Sequence, residues 1–323
     1  MTREEVKRGL IGGLGSWISG QELAASLGIS RAAVWKAVAS LRAEGYEIEA
    51  SKRGYRLSAL PDLLTEDLIR EGLRTELLGR RIIAAEALPS TNAEAKRITA
   101  SEEGTVVIAE VQTSGRGRMD RSWHSPRGGV WMSVILKPQV PPAQAFRVNI
   151  AAAVAVARAL EGLYGLEVKI KWPNDLMVGG RKVSGILTEI GADMDRLDYA
   201  VVGIGINANL DPADLPEGWK ATSISSELGR KVLRAELVRR VLEELEGASQ
   251  EMEASSGRLQ EEWSIRSETL GRRVRILARD GEFEGLAEAL EADGSLAVRR
   301  DGGLLERVIA GDCVHLRPAG ERI

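Results

Sequence analysis

A run of glycine, arginine and tryptophan, Gly115 to Trp123, carries the residue types best suited to bind an anion. Its order is Gly-Arg-Gly-Arg-Met-Asp-Arg-Ser-Trp, so two glycines alternate with two arginines before a third arginine and the tryptophan. Glycine lets a backbone approach a ligand closely, and the planar guanidinium group suits carboxylate or phosphate oxygens. The chain has no P-loop, and the run lacks the third glycine of a dinucleotide fingerprint. The run by itself predicts either an anion-binding loop or a solvated basic turn.

Other polar residues gather where predicted strands end or a predicted helix begins. They are Ser90-Thr91-Asn92, Lys171 to Asp175 with Lys182, and Asn207 with Asn209. The hydroxyl and amide groups of the first set suit a neutral polar ligand, although ordinary helix capping explains them equally well. The other two sets follow strands, as does the glycine-arginine run. The pattern predicts a polar site at the rim of a sheet.

The cysteine and histidine counts exclude several classes of chemistry. Cys313 is the single cysteine and cannot form an internal disulfide, and with only His124 and His315 besides, a zinc cluster is not expected. Cys313 lies in a β-rich tail far from the glycine-arginine run, so we predict a buried structural thiol. The charged N-terminus and the absence of an apolar stretch of membrane-spanning length predict a cytoplasmic protein with no membrane partner.

The first sixty residues have the pattern of a helix-turn-helix followed by a basic hairpin. Ser19 and Ser30 are predicted to cap two short helices, Gly20 to Leu27 and Arg31 to Glu44, which meet at Gly28. The side chains predicted to contact DNA are Arg31, Ala32, Trp35 and Lys36 of the second helix and Lys52, Arg53 and Arg56 of the hairpin. This order of elements matches a winged helix and favours DNA binding over a module used only for protein contacts.

Strands joined by hairpins dominate the middle of the chain. This pattern predicts an α+β fold with a mixed sheet, rather than the repeated βαβ units of a Rossmann sheet. A charged helical segment, Val232 to Leu259, follows, and its Arg234, Glu236, Arg239 and Glu243 are predicted on solvated faces. From Leu270 onward, four short strands alternate with glycine turns.

Four motifs occur in the order and approximate spacing of biotin–protein ligases. They are GRGRMDRSWHSP, KWPNDLMV, GRKVSGILTEI and VVGIGINAN. With the N-terminal winged helix, the whole chain resembles the bifunctional biotin ligases that also repress the biotin operon. The resemblance implies a winged helix over residues 1–60, a catalytic domain over 61–268 similar to class II aminoacyl-tRNA synthetases, and an SH3-like barrel over 269–323.

The resemblance also implies roles for individual residues. The biotin-binding residues would be Ser90, Thr91, Asn92, Gln112, Arg116, Gly117, Arg118 and Lys182. The residues at ATP or the adenylate would be Arg118, Arg121, Lys171, Asn174, Asp175, Lys182, Asn207 and Trp219. Arg118 and Lys182 would be the catalytic pair, and Mg²⁺ is expected, with Asp175 and Asn207 as candidate ligands. The run departs from the family's usual sequence at Asp120, where many relatives have glycine.

The implied activity is activation of biotin with ATP to biotinoyl-5'-AMP, followed by transfer of biotin to a lysine of a biotin carboxyl carrier protein. The implied partners are that carrier protein, operator DNA and a second copy of the chain when biotinoyl-AMP is bound. Two alternatives remain open at this point. The chain could be a lipoate–protein ligase, which shares the fold and the adenylate chemistry, or a biotin-sensing repressor without ligase activity.

Overall fold

Serine and glycine caps define the first elements of the chain. In a computed structural model, Ser30 accepts a hydrogen bond from the Ala33 backbone at the start of a helix, and Gly28 takes the left-handed φ of 64° that ends the helix before it. The structure describes residues 2–100, 102–119, 121–193, 195–215, 220–254, 257–278, 281–309 and 311–316. The chain divides into two compact units, Met1–Leu63 and Leu64–Ile323.

The N-terminal unit has three helices and a two-stranded antiparallel sheet. Its elements are α1 (Thr2–Gly12), α2 (Gly20–Leu27), α3 (Arg31–Ala43), β1 (Glu47–Ser51) and β2 (Gly54–Ala59). The two predicted helices and the hairpin are confirmed. The helix α1 was not predicted, and its Val6 and Leu10 are buried one turn apart.

The second unit is built around a seven-stranded sheet. Its first elements are α4 (Glu66–Arg70), β3 (Ile82–Leu88), α5 (Thr91–Arg97), β4 (Val106–Gln112), β5 (Val130–Leu136), α6 (Phe146–Tyr164), β6 (Lys169–Lys171), β7 (Asp175–Val178), β8 (Arg181–Ala192) and β9 (Leu197–Ile206). The strand order is β3-β4-β5-β9-β8-β7-β6, and β3 runs parallel to β4 while the other neighbours are antiparallel. This mixed sheet confirms the predicted α+β class.

Helices and a second sheet complete this unit. They are α7 (Ile224–Leu228), α8 (Arg234–Glu253), α9 (Arg258–Arg266), β10 (Arg273–Ala278), β11 (Gly281–Leu290), β12 (Leu296–Arg300), β13 (Leu305–Val308) and β14 (Asp312–His315). The five strands pair antiparallel in the order β13-β12-β11-β10-β14. The four predicted strands are confirmed, and β14 is an addition that pairs with β10.

Two expectations about helices need correction. The prediction that Arg234 lies on a solvated face is wrong, because its side chain is 2% exposed and its guanidinium group is paired with Glu110. The segment Pro142–Tyr164, which contains α6, is also long and apolar enough to cross a membrane by length and composition, contrary to the sequence analysis. However, 67% of its apolar window is buried inside the protein, as in a core helix.

Candidate functional site

A cavity of about 820 Å³ opens at the rim of the seven-stranded sheet. Its walls come from the start of α5, the end of β4, the segment 115–123, the ends of β6 and β7, and the chain around β14. Most of the predicted ligand residues line it: Ser90, Thr91, Asn92, Gln112, Arg116, Gly117, Arg118, Arg121, Lys171, Asn174, Asp175 and Lys182. The structure therefore brings together residues that lie up to 92 positions apart, from Ser90 to Lys182.

The indole ring of Trp123 lies over two glycines on neighbouring strands. Gly205 of β9 and Gly185 of β8 are cross-strand partners. A Cβ atom at Gly205 would lie 2.7 Å from Trp123 Nε1, and one at Gly185 would lie 2.9 Å from the same ring. Any side chain at either position would displace the indole, so the sequence must supply glycine at both. Trp123 therefore forms the floor of the cavity.

Replacing Gly205 by alanine should lower the free energy of unfolding by about 1–3 kcal/mol, because the new methyl group overpacks against the indole. Urea unfolding of the ligand-free chain measures the loss. The matched control is Gly247→Ala in α8, where nothing lies within 4 Å of the added Cβ. That change should raise stability by about 0.5–1 kcal/mol. Equal effects of the two substitutions would contradict the packing described here.

A line of hydrogen bonds fixes the polar end of the cavity. Gln112 Oε1 accepts from the backbone and hydroxyl groups of Thr91, at 2.8 and 3.0 Å. Gln112 Nε2 in turn donates to Ser125 Oγ at 2.9 Å, and that hydroxyl donates to the carbonyl of Trp123. Ser90 caps α5 by accepting from the Ala93 backbone, as the capping interpretation predicts. These bonds hold the hydrogen-bonding groups of Thr91 and Gln112 in place at the cavity wall.

Lys182 joins the floor to the acidic side of the cavity. Its ammonium nitrogen lies 2.5 Å from Asp175 Oδ1 and 4.7 Å from the centre of the Trp123 ring. The carboxylate and the π-face of the indole both attract the ammonium group. The lysine is half-buried, so its charge acts on a ligand through less water than a surface lysine would. This arrangement places a positive charge between the Trp123 floor and Asp175 at the start of β7.

Two predicted residues serve the structure around the cavity. Asn174 Nδ2 donates to the carbonyl of Ile186 at 2.5 Å, and the Ile186 backbone donates back to Asn174 at 3.0 Å, which ties the start of β7 to β8. Asn207 is 4% exposed and donates to the carbonyl of Thr222 at 3.0 Å. Asn207 lies behind the wall rather than in it, whereas Asn174 also faces the cavity.

The glycine-arginine segment contacts the chain around β14. Arg118 donates to the carbonyl of Gly311 at 3.1 Å, and Arg121 forms an ion pair with Asp312. Burial lowers the pKa of Arg118, and the charges of Asp312 and Asp175 oppose that shift. A Cβ at Gly115 would lie 2.4 Å from the Trp123 carbonyl, so this glycine is required for the tight return of the segment. The C-terminal strand is thus a wall of the site, which the sequence analysis did not predict.

Cys313 lies in this same wall. The side chain is 6% exposed, and burial raises the pKa of its thiol to about 12. A thiol with so high a pKa is neutral near pH 7 and is a poor nucleophile. The predicted burial of this thiol is confirmed, and the fold brings the residue, remote in sequence from the glycine-arginine run, to the cavity wall.

The neighbouring His315 should make stability depend on pH. Burial lowers its pKa to about 4, helped by Lys171 and Arg272. An unfolded histidine titrates near pH 6.5, so between about pH 6.5 and 4 the unfolded chain binds a proton that the folded chain does not. The stability that depends on neutral His315 is fully present above about pH 6.5 and is lost as the pH falls toward 4.

Urea unfolding at a series of pH values checks this expectation. His315→Gln keeps a group that can bond Thr269, whose hydroxyl lies 3.0 Å from His315 Nε2, but removes the titration. The variant should lose less stability than the wild type between pH 6.5 and 4. An unchanged slope in the His315 variant would show that another group is responsible.

The described part of the chain has no group of three or more His, Cys, Asp or Glu side chains arranged to hold a metal ion. Asp175 is the predicted magnesium ligand that faces the cavity, and it is paired with Lys182. Two other points of the sequence analysis, the predicted nucleotide residue Trp219 and the unusual Asp120, lie outside the described residues.

The N-terminal unit presents its predicted DNA-contacting face to solvent. Arg31, Ala32, Trp35 and Lys36 are all exposed on α3, and the large Trp35 is 63% exposed. Lys52 and Arg53 are exposed at the hairpin turn. Arg56 differs, because both oxygens of Glu49 accept from it at 2.7 and 2.6 Å. Its charge is already balanced within the hairpin.

Three families match successive parts of the chain. An HTH domain matches residues 14–56, the Biotin/lipoate A/B protein ligase family matches residues 84–207, and the Biotin protein ligase C terminal domain matches residues 269–316. The second match contains the start of α5, the glycine-arginine segment and Lys182. Fold and site together define the class, a biotin/lipoate-type protein ligase that carries a helix-turn-helix domain.

Relatives of known function extend the match to nearly the full length. The chain is 41% identical to the Bifunctional ligase/repressor BirA of Bacillus subtilis over 295 residues, covering 89% of this chain and 91% of that protein. It is 30% identical to the Escherichia coli protein of the same name, over 89% and 90% of the two chains. A biotin protein ligase structure from Aquifex aeolicus with biotin and ATP matches at a TM-score of 0.63 and 27% identity, covering 74% of this chain and 100% of that one. The chain belongs to the family of bifunctional biotin ligase/repressors.

Proposed function

We propose that the chain activates biotin with ATP to biotinoyl-5'-AMP and then transfers biotin to a lysine of a biotin carboxyl carrier protein. The observation that carries this proposal is the position of Lys182, held by Asp175 and the Trp123 ring between the polar end of the cavity and its arginine-bearing rim. A carboxylate group bound between the polar end and the rim would lie close to the positive charge of Lys182. The similarity to the Aquifex aeolicus biotin protein ligase, which binds biotin and ATP, supports biotin as the acid.

The polar end suits the ureido ring of biotin, which offers two N–H donors and one carbonyl acceptor. We assign its recognition to Ser90, Thr91, Asn92 and Gln112, with Arg116 and Gly117 bringing backbone close to the ligand. Trp123 supplies an apolar floor beneath the ring system. The bonded pair Thr91 and Gln112 supports this assignment, because both side chains are fixed before a ligand enters.

The other end suits the reacting groups. The biotin carboxylate attacks the α-phosphate of ATP, pyrophosphate leaves, and a lysine amine of the carrier then displaces AMP. Lys182 would hold the carboxylate and the α-phosphate in contact, and Arg118 would restrain the mixed anhydride. Arg121 and Lys171 would bind the remaining phosphates, with Asn174, Asn207 and Trp219 assigned to the nucleotide region. None of these steps needs a nucleophilic side chain, in accord with the inert thiol of Cys313.

Magnesium fits the donor set of this region. Mg²⁺ in nucleotide sites takes one or two carboxylates and several phosphate oxygens and waters, and Asp175 supplies a carboxylate beside the phosphate-binding cations. When bound, the ion would balance phosphate charge. We assign Asp175 as its protein ligand. Asn207, the second candidate, is engaged with the carbonyl of Thr222 through its amide nitrogen.

We assign the N-terminal unit a second function, repression of biotin genes. The exposed cations and Trp35 on α3, together with Lys52 and Arg53, form a basic face of the kind that enters a major groove. We divide the chain into a winged helix (1–60), a ligase domain (61–268) resembling class II aminoacyl-tRNA synthetases, and an SH3-like domain (269–323). Biotinoyl-AMP would favour a homodimer that binds two half-sites, and the protein would act in the cytoplasm.

Transfer of labelled biotin to a purified carrier domain tests the ligase function. Label should appear on the carrier only when ATP is present, and unlabelled lipoate in excess should not compete. Transfer of lipoate in preference to biotin would assign the chain to the lipoate ligases. Binding of biotin without transfer or adenylate formation would leave the repressor function alone.

A further inference from the structure

Asn92 lies across three strands of the main sheet. Ser133 of β5, Gly203 of β9 and Leu187 of β8 are successive cross-strand partners, so they form one row. A Cβ on the central residue, Gly203, would lie 2.2 Å from Asn92 Oδ1. The amide of Asn92 therefore rests directly on the Gly203 backbone and reaches both neighbouring strands.

Every polar atom of this amide has a partner. Asn92 Oδ1 lies 2.6 Å from Ser133 Oγ, which donates to it. Asn92 Nδ2 donates to the carbonyl of Leu187 at 3.1 Å and to Glu189 Oε2 at 2.9 Å. An amide nitrogen has two hydrogens, and both are used. The side chain is thus already saturated and has no donor left for a ligand.

Glu189 and the Leu187 carbonyl together set the orientation of the amide. Both groups only accept hydrogen bonds, so they draw the nitrogen of Asn92 toward β8 and leave the oxygen facing Ser133, and the charged carboxylate is the stronger acceptor of the two. Its second oxygen accepts from Lys96 Nζ at 2.9 Å, one turn further along α5. Burial acts to raise the pKa of Glu189, but the bonds from Lys96 and Asn92 outweigh it and lower the pKa, so the group is ionised at neutral pH.

The orientation of Asn92 also fixes a proton near the ligand. Ser133 Oγ lies 2.8 Å from Thr91 Oγ1 as well as beside Asn92 Oδ1, yet it has a single hydrogen. Because an amide oxygen only accepts and Asn92 Oδ1 is the nearer of the two, it takes the Ser133 hydrogen, and both lone pairs of Thr91 Oγ1 stay available to other donors. If the amide were reversed, Ser133 would donate to Thr91 and would occupy one of these two lone pairs.

We propose that Glu189 is a positioning residue for biotin, which it serves by fixing the Asn92 amide and, through Ser133, the acceptor capacity of Thr91 toward a ureido N–H. This inference rests on the proposed function, since it takes biotin as the ligand of the cavity. Within the recognition group Ser90, Thr91, Asn92 and Gln112, it makes Asn92 the residue that orients its neighbours, because both of its amide hydrogens are already used. It also explains why β9 needs glycine at position 203.

Glu189→Gln tests the proposal because glutamine has the shape of glutamate but only one acceptor oxygen in place of two equivalent ones. The introduced amide has one oxygen, and the charged Lys96 should claim it, so an N–H group would face Asn92 and favour the reversed orientation. Calorimetry with biotin alone should show a Kd about tenfold higher than that of the wild type, the size expected for one charge-assisted hydrogen bond. The KM for ATP should not change.

Removing Lys96 should restore binding. In the Lys96→Met, Glu189→Gln double variant, the introduced oxygen is free to turn to Asn92, so the Kd should return to within about threefold of the wild-type value. Glu94→Gln is the matched control on the same helix, since Glu94 pairs only with the surface residue Arg97 among the contacts described for it. It should leave the Kd unchanged.

Two results would overturn the inference alone. One is wild-type affinity in the Glu189→Gln variant, and the other is a double variant that binds no better than Glu189→Gln does. Melting temperatures of the ligand-free variants separate loss of fold from loss of orientation, because reversal of one amide should leave them close to the wild type. A wild-type chain that binds no biotin would instead overturn the proposed function and this inference with it.

Discussion

Replacing Lys182 by methionine should slow formation of biotinoyl-AMP by about a hundred- to a thousandfold, the loss typical when one preorganised positive group is removed from a reacting oxyanion. The methylene chain of methionine can still lie on the Trp123 ring, so the fold should be retained. The lost group is the ammonium nitrogen that lies 2.5 Å from Asp175 and 4.7 Å from the ring centre. Single-turnover measurements with saturating biotin and ATP give the rate directly.

The control for this substitution is Lys169→Met. Lys169 lies on β6, is 45% exposed and pairs with Glu167 at the surface. Its removal should change the rate by less than about threefold, since surface ion pairs contribute little. A Lys182 variant as fast as the Lys169 variant would show that this lysine is not at the reacting atoms.

Replacing Arg234 by methionine should lower the free energy of unfolding by about 3–5 kcal/mol, because it removes the buried cation of Glu110 and leaves that carboxylate only the 51% exposed Arg127, 3.3 Å away. Arg234 donates to Glu110 Oε2 at 2.8 Å and to the carbonyl of Gly129 at 3.1 Å, and the two side chains are 2% and 6% exposed. The same carboxylate accepts from the Leu64 backbone at 2.9 Å. The pair therefore joins α8 to β4 and to the first residue of the second unit.

Urea unfolding of the ligand-free chain measures this effect, and Arg240→Met on the same helix is the control. Arg240 is 35% exposed and pairs with Glu244 one turn away. Its loss should cost no more than about 1 kcal/mol. If the two variants are equally stable, the Arg234–Glu110 pair does not hold the helix to the sheet.

Local patterns predicted the elements well. The serine caps, the glycine stops and the apolar spacing of the first sixty residues gave α2, α3 and the hairpin, because each depends on residues a few positions apart. The same local reasoning failed for Arg234. The segment 230–246 is rich in charged residues, and only the long-range approach of Glu110 on β4 makes the burial of Arg234 favourable.

The sequence predicted the types of residue that form the site, but it did not predict which strands form the walls of the cavity. The glycine-arginine run and Lys182 stand out by composition. The contribution of β14 was not predictable in this way, because it depends on contacts between residues nearly two hundred positions apart, such as Arg118 and Gly311. The glycines at positions 185, 203 and 205 are visible in the sequence, but no spacing assigns them a function. Trp123 packs against Gly185 and Gly205, and Asn92 packs against Gly203. These contacts follow only from the register of β5, β9 and β8.

The exchange of labelled pyrophosphate into ATP tests the central claim most directly, because it reports the first half-reaction and needs no acceptor protein. We predict exchange that requires biotin, is not supported by lipoate, and falls in the Lys182→Met variant in proportion to the rate of adenylate formation. An absence of biotin-dependent exchange in the full chain, with biotin binding intact, would contradict the claim that this cavity forms an adenylate.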